Sequence, residues 1–219
     1  MQLNISGGWI LFCLAFGIVL LTAFIMSRQS RHFYTMDVVL RRFSIMDLQL
    51  PDSPLEMKNL IGGIYKLPPR RQASTLRSLK SQLYVDYIFM PAAYGAIFLL
   101  CMKLSLKMTS YGQYVFGILA WLQVVAFIMD IIENIYLLKK IHPGIEAVSV
   151  VEHKRMLLFV QLKWGIALVA IICGLSAVLY FWLVGRYDTG SLKYLLILAG
   201  EIVLFLLAGK FIKKIKQVD

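Results

Sequence analysis

Charged side chains are scarce in this sequence, where they make up 16% of the 219 residues. An ordinary soluble domain carries roughly a quarter charged residues, and a smaller apolar share than the 59% found here. Too few polar groups are present to cover a soluble fold of this length. We therefore expect lipid to be the solvent for most of the chain.

Acidic residues are the scarcer charged class, with 12 Asp and Glu against 23 Lys and Arg, a formal net charge of +11. An excess of this size is typical of nucleic-acid binders, but here the basic residues lie between long apolar runs rather than along one amphipathic face. Basic loops beside membrane spans are the commoner cause of such a charge. Nucleic acid is therefore not an expected partner.

Cysteine and histidine are rare, and their positions argue against two common kinds of site. Cys13, Cys101 and Cys173 all fall in apolar runs, where a free thiol behaves as a small hydrophobe. The histidines and cysteines lack the i, i+4 pairing and the Cys-x-x-Cys spacing of metal sites. The sequence also has no glycine-rich phosphate loop, no Ser-His-Asp order and no internal repeat. We predict no disulfide framework, no metal and no cofactor.

Long apolar runs, in contrast, are abundant. A hydrocarbon core of roughly 30 Å needs about 20 apolar helical residues to cross it. The sequence supplies five such runs, near 8–26, 83–102, 114–138, 156–185 and 194–209. The first run has no cleavage site after it and is expected to stay as an anchor. These runs predict an all-α fold, a single membrane domain over residues 1–219 built as a bundle of about five transmembrane helices.

The distribution of Lys and Arg predicts the orientation, because cytoplasmic loops hold the excess of these residues. The 27–82 segment, the 139–155 connection and the tail after residue 209 together carry eighteen of them, and the alternate connections carry four. Lys163 is the one cation left within a span. The N-terminus is therefore expected outside and the C-terminus in the cytoplasm, in a cell membrane such as the bacterial inner membrane.

The 27–82 segment contains the pattern of a further helix. Ser-Pro-Leu-Glu at 53–56 is typical of a capping box with proline at the first helical position. Apolar residues then recur at i, i+3, i+4 and i+7, and the proline pair at 68–69 ends the pattern. These apolar residues are Met57, Leu60, Ile61 and Ile64. We predict a short amphipathic helix that either lies at the inner membrane interface or packs against the cytoplasmic end of the bundle.

Basic residues cluster between Arg70 and Lys80, directly before the second apolar run. We expect a helical lead into that span which attracts the anionic headgroups of the cytoplasmic membrane surface. Membrane lipids, and anionic lipid in particular, are therefore expected partners. Formation of a homo-oligomer stays open.

Ionisable and polar residues within three of the spans are the strongest sign of function. Each charged residue costs roughly 2.5–3.5 kcal/mol on insertion scales, so such residues are rare and usually face the bundle interior or a wet cavity. The candidate ligand-binding residues are Asp86, Tyr87, Tyr94, Asp130, Glu133, Asn134 and Lys163. The alternatives are packing and ion-pairing roles for Asp130, Asn134 and Lys163, and simple interfacial hydration for Asp86.

Lys163 shares a helical face with the small residues Ala170 and Gly174, which let helices approach closely. That face is expected to point into the bundle. There an acid of the third span, Asp130 or Glu133, would be the natural partner for the ammonium group.

Pro91 lies in the second span near two of the candidate tyrosines. It cannot donate to the carbonyl of Tyr87 and is expected to kink the span beside Tyr87 and Tyr94. A kink next to acids and phenols would make a pocket.

Three short motifs between residues 43 and 164 resemble a group of uncharacterised bacterial membrane proteins. They are Phe-Ser-Ile-Met-Asp-Leu-Gln-Leu at 43–50, Asp86-Tyr87-x-Phe89 followed by Tyr94, and Asp130-x-x-Glu133-Asn134. This group brings no known activity, so the resemblance supports the choice of residues without naming a function. The chain is also coarsely similar to the sterol-isomerase and sigma-2-receptor group, which buries acids among four helices to bind cationic amphiphiles.

These observations favour a membrane protein that binds a small amphiphile or lipid headgroup in a polar pocket near the cytoplasmic face, among the second, third and fourth spans. Asp86, Asp130 and Glu133 are its candidate acid, base or cation-binding groups, and whether a reaction follows is open. One alternative is a proton-coupled transporter, although the outer half of these helices offers little besides Gln123 and Glu201. Another is a scaffold protein that acts through the 27–82 segment. Glu201 would serve a second site or a subunit contact.

Overall fold

The structure, a computed structural model, describes residues 8–36, 39–145, 148–187 and 192–215, with side chains in the last stretch only as far as residue 209. The helices are α1 (Gly8–Gln29), α2 (Ile45–Gln49), α3 (Pro54–Tyr65), α4 (Pro69–Ser105), α5 (Tyr111–Lys140), α6 (Val150–Leu183) and α7 (Leu192–Ile215). Two short strands, β1 (Tyr34–Met36) and β2 (Leu40–Arg42), form a hairpin. The tail lysines Lys210, Lys213, Lys214 and Lys216 lie outside the described side chains.

Five of these helices, α1 and α4 to α7, are long and apolar enough to cross a membrane. Each of the five predicted apolar runs falls on one of them, so the prediction of an all-α membrane helix bundle is confirmed. The basic lead and the second apolar run form one continuous helix, α4, with Pro91 inside it. The orientation of the termini stays a prediction, because it depends on loop charges alone.

The chain divides into two compact units, each assembled from several helices. The first unit comprises Met1–Phe24, Phe89–Val125 and Ile166–Asp219. The second unit comprises Ile25–Ile88 and Ala126–Gly165. The single membrane domain stays a prediction, and each unit is described below by itself.

The core of the first unit forms where α4, α5 and α6 pack together. Its buried residues include Leu100, Leu104, Phe116, Ala120 and Ala170. Gly174 is also buried, and a Cβ at this position would lie 2.9 Å from Cδ2 of Leu100. A small residue is therefore what lets α6 approach α4 this closely. The prediction that Ala170 and Gly174 face inward is confirmed.

The second unit has its own core, beneath the hairpin. β1 and β2 are antiparallel, and Thr35 of β1 donates a hydrogen bond of 2.8 Å from its Oγ1 to the carbonyl oxygen of Leu60 in α3. A Cβ at Gly63 would lie 2.2 Å from that same Oγ1, so glycine is what lets α3 lie against the hairpin. The hairpin could not be predicted from the sequence, because strands of three residues carry too little alternation to recognise.

The start of α3 follows its predicted capping pattern with one change. The backbone N–H of Glu56 donates to Oγ of Ser53 at 3.2 Å, with Pro54 in the first turn. The Glu56 carboxylate, however, accepts from the backbone N–H of Asp52 at 2.6 Å. The predicted apolar face is buried within the protein: Met57, Leu60, Ile61 and Ile64. Of the two alternatives for this helix, packing against the protein is therefore the one observed.

Candidate functional site

Five of the seven candidate residues meet in the second unit, on three helices. The ammonium group of Lys163 in α6 forms ion pairs with two acids of α5, Asp130 and Glu133. Its Nζ lies 2.5 Å from Oε2 of Glu133. Asn134, also in α5, donates from Nδ2 to Oδ2 of Asp86 in α4 at 2.7 Å. We call these five residues the acid cluster.

Helical spacing explains why α5 contributes three members. Asp130 precedes Glu133 by three residues and Asn134 by four, so all three side chains share one face of the helix. Asp86 also interacts electrostatically with Asp130 and Lys163, which joins the amide contact and the ion pairs into one cluster. The prediction that Lys163 has an acid of the third span as its partner is confirmed, and both acids take that role.

Burial differs among the members of the acid cluster. The side chains of Glu133, Asn134 and Lys163 are no more than 2% exposed, and Asp130 is also buried. Asp86 is only half-buried. The ion-paired part of the cluster is therefore closed, and Asp86 is its most exposed member.

The cluster holds more acids than it can neutralise. Three carboxyl groups, on Asp86, Asp130 and Glu133, stand against one ammonium group, on Lys163. Among the described residues, Asp86 forms no ion pair, and Asn134 is its hydrogen-bond partner. Uncompensated buried charge is costly, so the cluster favours the arrival of protons or of a cation.

Several buried oxygen atoms near the cluster have no hydrogen-bond partner. They include Oε1 of Glu133, Oδ1 of Asn134 and Oε1 of Gln82, which precedes Asp86 by one helical turn in α4. Gln82 was not among the predicted site residues, although its i, i+4 spacing to Asp86 was the signal that would have found it. The polar face of α4 therefore extends one turn beyond Asp86.

A small cavity lies beside Glu133 and is lined also by Met57, Tyr136 and His153. The cavity volume is about 10 Å³, close to the smallest that holds one water molecule. The place of His153 beside Glu133 could not be predicted from the sequence, because its isolated position in a polar connection carries no motif.

The two candidate tyrosines have different surroundings. Tyr87 is half-buried and lies within electrostatic range of Asp86 and Tyr84. Tyr94 lies on the part of α4 that belongs to the first unit. The predicted kink at Pro91, and the pocket expected beside it, stay predictions.

Metal binding finds no support in the described part of the chain, where no three His, Cys, Asp or Glu residues are grouped so as to hold an ion. The resemblance to uncharacterised membrane proteins stays a prediction. Comparison of the chain with protein families, with curated proteins and with solved structures finds no match.

Proposed function

We propose that this integral membrane protein binds the ammonium headgroup of a lipid or small amphiphile at Asp86. The observation that carries the proposal is the excess of carboxyl groups in the acid cluster, with Asp86 as its half-buried member. A cation at Asp86 would offset part of that excess. The proposal concerns binding, and no reaction is included in it.

The contacts of Asp86 support a role for it as the ligand's anchor. Asn134 donates to Oδ2 and holds the carboxylate in place, while Oδ1 takes part in no hydrogen bond among the described residues. Lys163 is already engaged by Asp130 and Glu133, which keeps the ammonium group from neutralising Asp86 directly. An incoming cation would therefore find one carboxylate oxygen still available.

One aromatic side chain close to Asp86 suits the same kind of ligand. Tyr87 follows Asp86 in α4, is half-buried and lies within electrostatic range of its carboxyl group. Ring faces attract ammonium groups, most strongly where water is excluded. A carboxylate with a phenol close to it therefore favours a quaternary or primary ammonium over an anionic or neutral headgroup.

The proposal is tested by titrating the purified protein with dodecyltrimethylammonium in a neutral detergent. Calorimetry measures the heat of binding. We expect saturable binding to the wild type and at least a tenfold loss of affinity in Asp86→Asn, which keeps the shape but removes the charge. Asp52→Asn makes the same change at an exposed acid outside the cluster and should leave the affinity unaltered. Equal affinity of Asp86→Asn and the wild type would overturn the proposal.

A second candidate function, docking on anionic lipid, is favoured by a basic patch around Tyr34. Arg42 of the hairpin and Arg71 of α4 form this patch, which we call the hairpin patch. Nε and Nη2 of Arg42 donate to the Tyr34 hydroxyl at 3.0 and 2.8 Å. The guanidinium groups of Arg42 and Arg71 lie 5.2 and 5.9 Å from the centre of the Tyr34 ring. Both arginines are exposed, so a shared ring positions two cations for phosphate.

Pelleting with vesicles of phosphatidylglycerol and phosphatidylcholine, using detergent-solubilised protein, tests this second candidate. Arg42→Gln combined with Arg71→Gln should weaken association by roughly 1 kcal/mol per cation removed. The matched control, Lys107→Gln combined with Arg186→Gln, removes two cations from the first unit. If both double variants lose the same affinity, net charge rather than the hairpin patch is responsible.

A further inference from the structure

A groove in the first unit lies between α1 and α7 and has no part in the acid cluster. Its lining includes Leu20, Leu21 and Phe24 of α1, and Leu204, Phe205 and Ala208 of α7. Its volume is about 340 Å³, which is within the range of small-molecule sites. An apolar chain of moderate length would fit such a lining.

Glu201 is the one ionisable side chain among the described residues that line this groove. Its Oε2 atom is buried and has no hydrogen-bond partner. Its Oε1 atom faces α1, where a Cβ at Gly17 would lie 3.0 Å away. The absence of a side chain at Gly17 therefore makes the room that the carboxyl group occupies.

The described part of the chain offers no cation to this carboxyl group. No ion pair among the described residues includes Glu201. It stands in the middle of the apolar stretch Leu192–Gly209, where an acid is expensive to place and typically serves a functional contact. A partner that supplies both a hydrogen-bond donor and a positive charge would remove both costs.

We propose that the groove between α1 and α7 binds a long-chain amine, with the alkyl chain along the apolar lining and the amino group against Glu201. This site is separate from the headgroup site at Asp86 and does not depend on it. The groove supplies apolar contact over the length of the chain, and Glu201 selects the polar end.

Proton balance selects an amine over other amphiphiles. An amine and a carboxyl group share one proton, so the pair is neutral as a whole whichever partner holds it. An alcohol donates a hydrogen bond but brings no positive charge, and a fatty acid adds a second acid. A quaternary ammonium brings charge but has no N–H to donate to the unpartnered oxygen. The amine alone meets both requirements of Glu201.

Carbodiimide coupling of the full-length protein with dodecylamine tests the site directly. Dicyclohexylcarbodiimide joins a carboxyl group to a neighbouring amine as an amide, taking up the lost water and leaving as dicyclohexylurea. We expect the dodecylamide on the peptide that contains Glu201, located by mass spectrometry, and none in Glu201→Gln. Excess 1-dodecanol should reduce the labelling of the wild type less than twofold.

Two glycine variants provide a matched comparison. Gly17→Val would fill the space of the carboxyl group and should reduce labelling at Glu201 at least fivefold. Gly200→Val makes the same change where a Cβ meets no atom within 4 Å, and should label as the wild type does. Asp86→Asn should also label normally at Glu201, even if it abolishes binding of dodecyltrimethylammonium.

Three outcomes would overturn the inference. They are an unlabelled Glu201 in the wild type, equal labelling of the two glycine variants, and full competition by 1-dodecanol. The first and third need no variant, so the test stands even if Gly17→Val fails to fold.

Discussion

The two units differ in whether the acids of their apolar helices have ion-pair partners. In the second unit, Asp130 and Glu133 are buried and both pair with Lys163. In the first unit, Glu201 lies in a groove with an unpartnered oxygen and no ion pair among the described residues. An acid with an internal partner is thus an integral part of the fold, whereas an acid without one still lacks a donor or a cation.

Asp86 stands between these two cases. Asn134 satisfies one of its oxygens by a hydrogen bond, yet no ion pair with a described residue neutralises its charge. It belongs to a structured cluster and still has capacity for a cation. This intermediate state is why we place the headgroup site at Asp86 rather than at the closed ion pairs.

The orientation of the protein in the membrane should give the largest effect, because labelling of a cysteine from one side of a membrane is close to all-or-none. In a variant without native cysteines, a cysteine at His142 should resist an impermeant thiol reagent in intact cells, and one at Arg186 should react. The physical reason is the retention of basic loops in the cytoplasm. The opposite pattern would place the acid cluster near the outer membrane face and would remove the cytoplasmic anionic lipid as a partner of the hairpin patch.

Removing the cation of the acid cluster should produce the largest loss of stability. Lys163→Met leaves two buried acids unpaired, and truncation of one partner of a buried pair typically costs about 3–5 kcal/mol. Adding Asp130→Asn and Glu133→Gln should recover much of this loss, because no buried charge is then left without a partner. Unfolding followed by tryptophan fluorescence in mixed micelles measures the free energies.

The matched control for that experiment is Lys139→Met, at an exposed lysine of α5. It should change the free energy of unfolding little. If Lys163→Met costs no more than this control, and the triple variant recovers nothing, then Lys163 reaches water along its own stem. The contrast between the two units would then disappear.

The adjacent glycines of α3 test the packing of the second unit. Gly63→Ala should lower the free energy of unfolding by about 1–3 kcal/mol, because its Cβ would overlap Oγ1 of Thr35 and approach the carbonyl oxygen of Met36 at 2.9 Å. Gly62→Ala meets no atom within 4 Å and should be neutral or stabilising by up to about 1 kcal/mol. Similar gains of up to about 1 kcal/mol in both variants would mean that helix propensity, not contact with β1, decides these positions.

The smallest effect is expected for Glu201→Gln. This change breaks no ion pair with a described residue, so the free energy of unfolding should stay within about 1 kcal/mol of the wild type or rise slightly. The same micelle unfolding measurement serves, with Glu133→Gln as the comparison from the other unit. If Glu201→Gln lowers the free energy of unfolding as much as Glu133→Gln does, then Glu201 stabilises the fold and the two units do not differ in this respect.

The membrane class and the five apolar helices could be predicted from the sequence, because a run of about 20 apolar residues has few other stable environments. The spacing of Asp130 and Asn134 likewise predicts that they share one helical face, since spacing within a helix is a local property. The pairing of Lys163 with an acid of the third span followed from the cost of an unpaired buried ammonium. These predictions needed only local periodicity and the energetics of charge in lipid.

The contacts between distant segments could not be predicted from the sequence. Three of them join different helices: Lys163 pairs with both acids, Asn134 donates to Asp86, and Glu201 lies opposite Gly17. The hairpin on α3 likewise depends on the close approach of Thr35 to Gly63. Such contacts are set by packing between segments far apart in the chain, which periodicity within one segment does not encode.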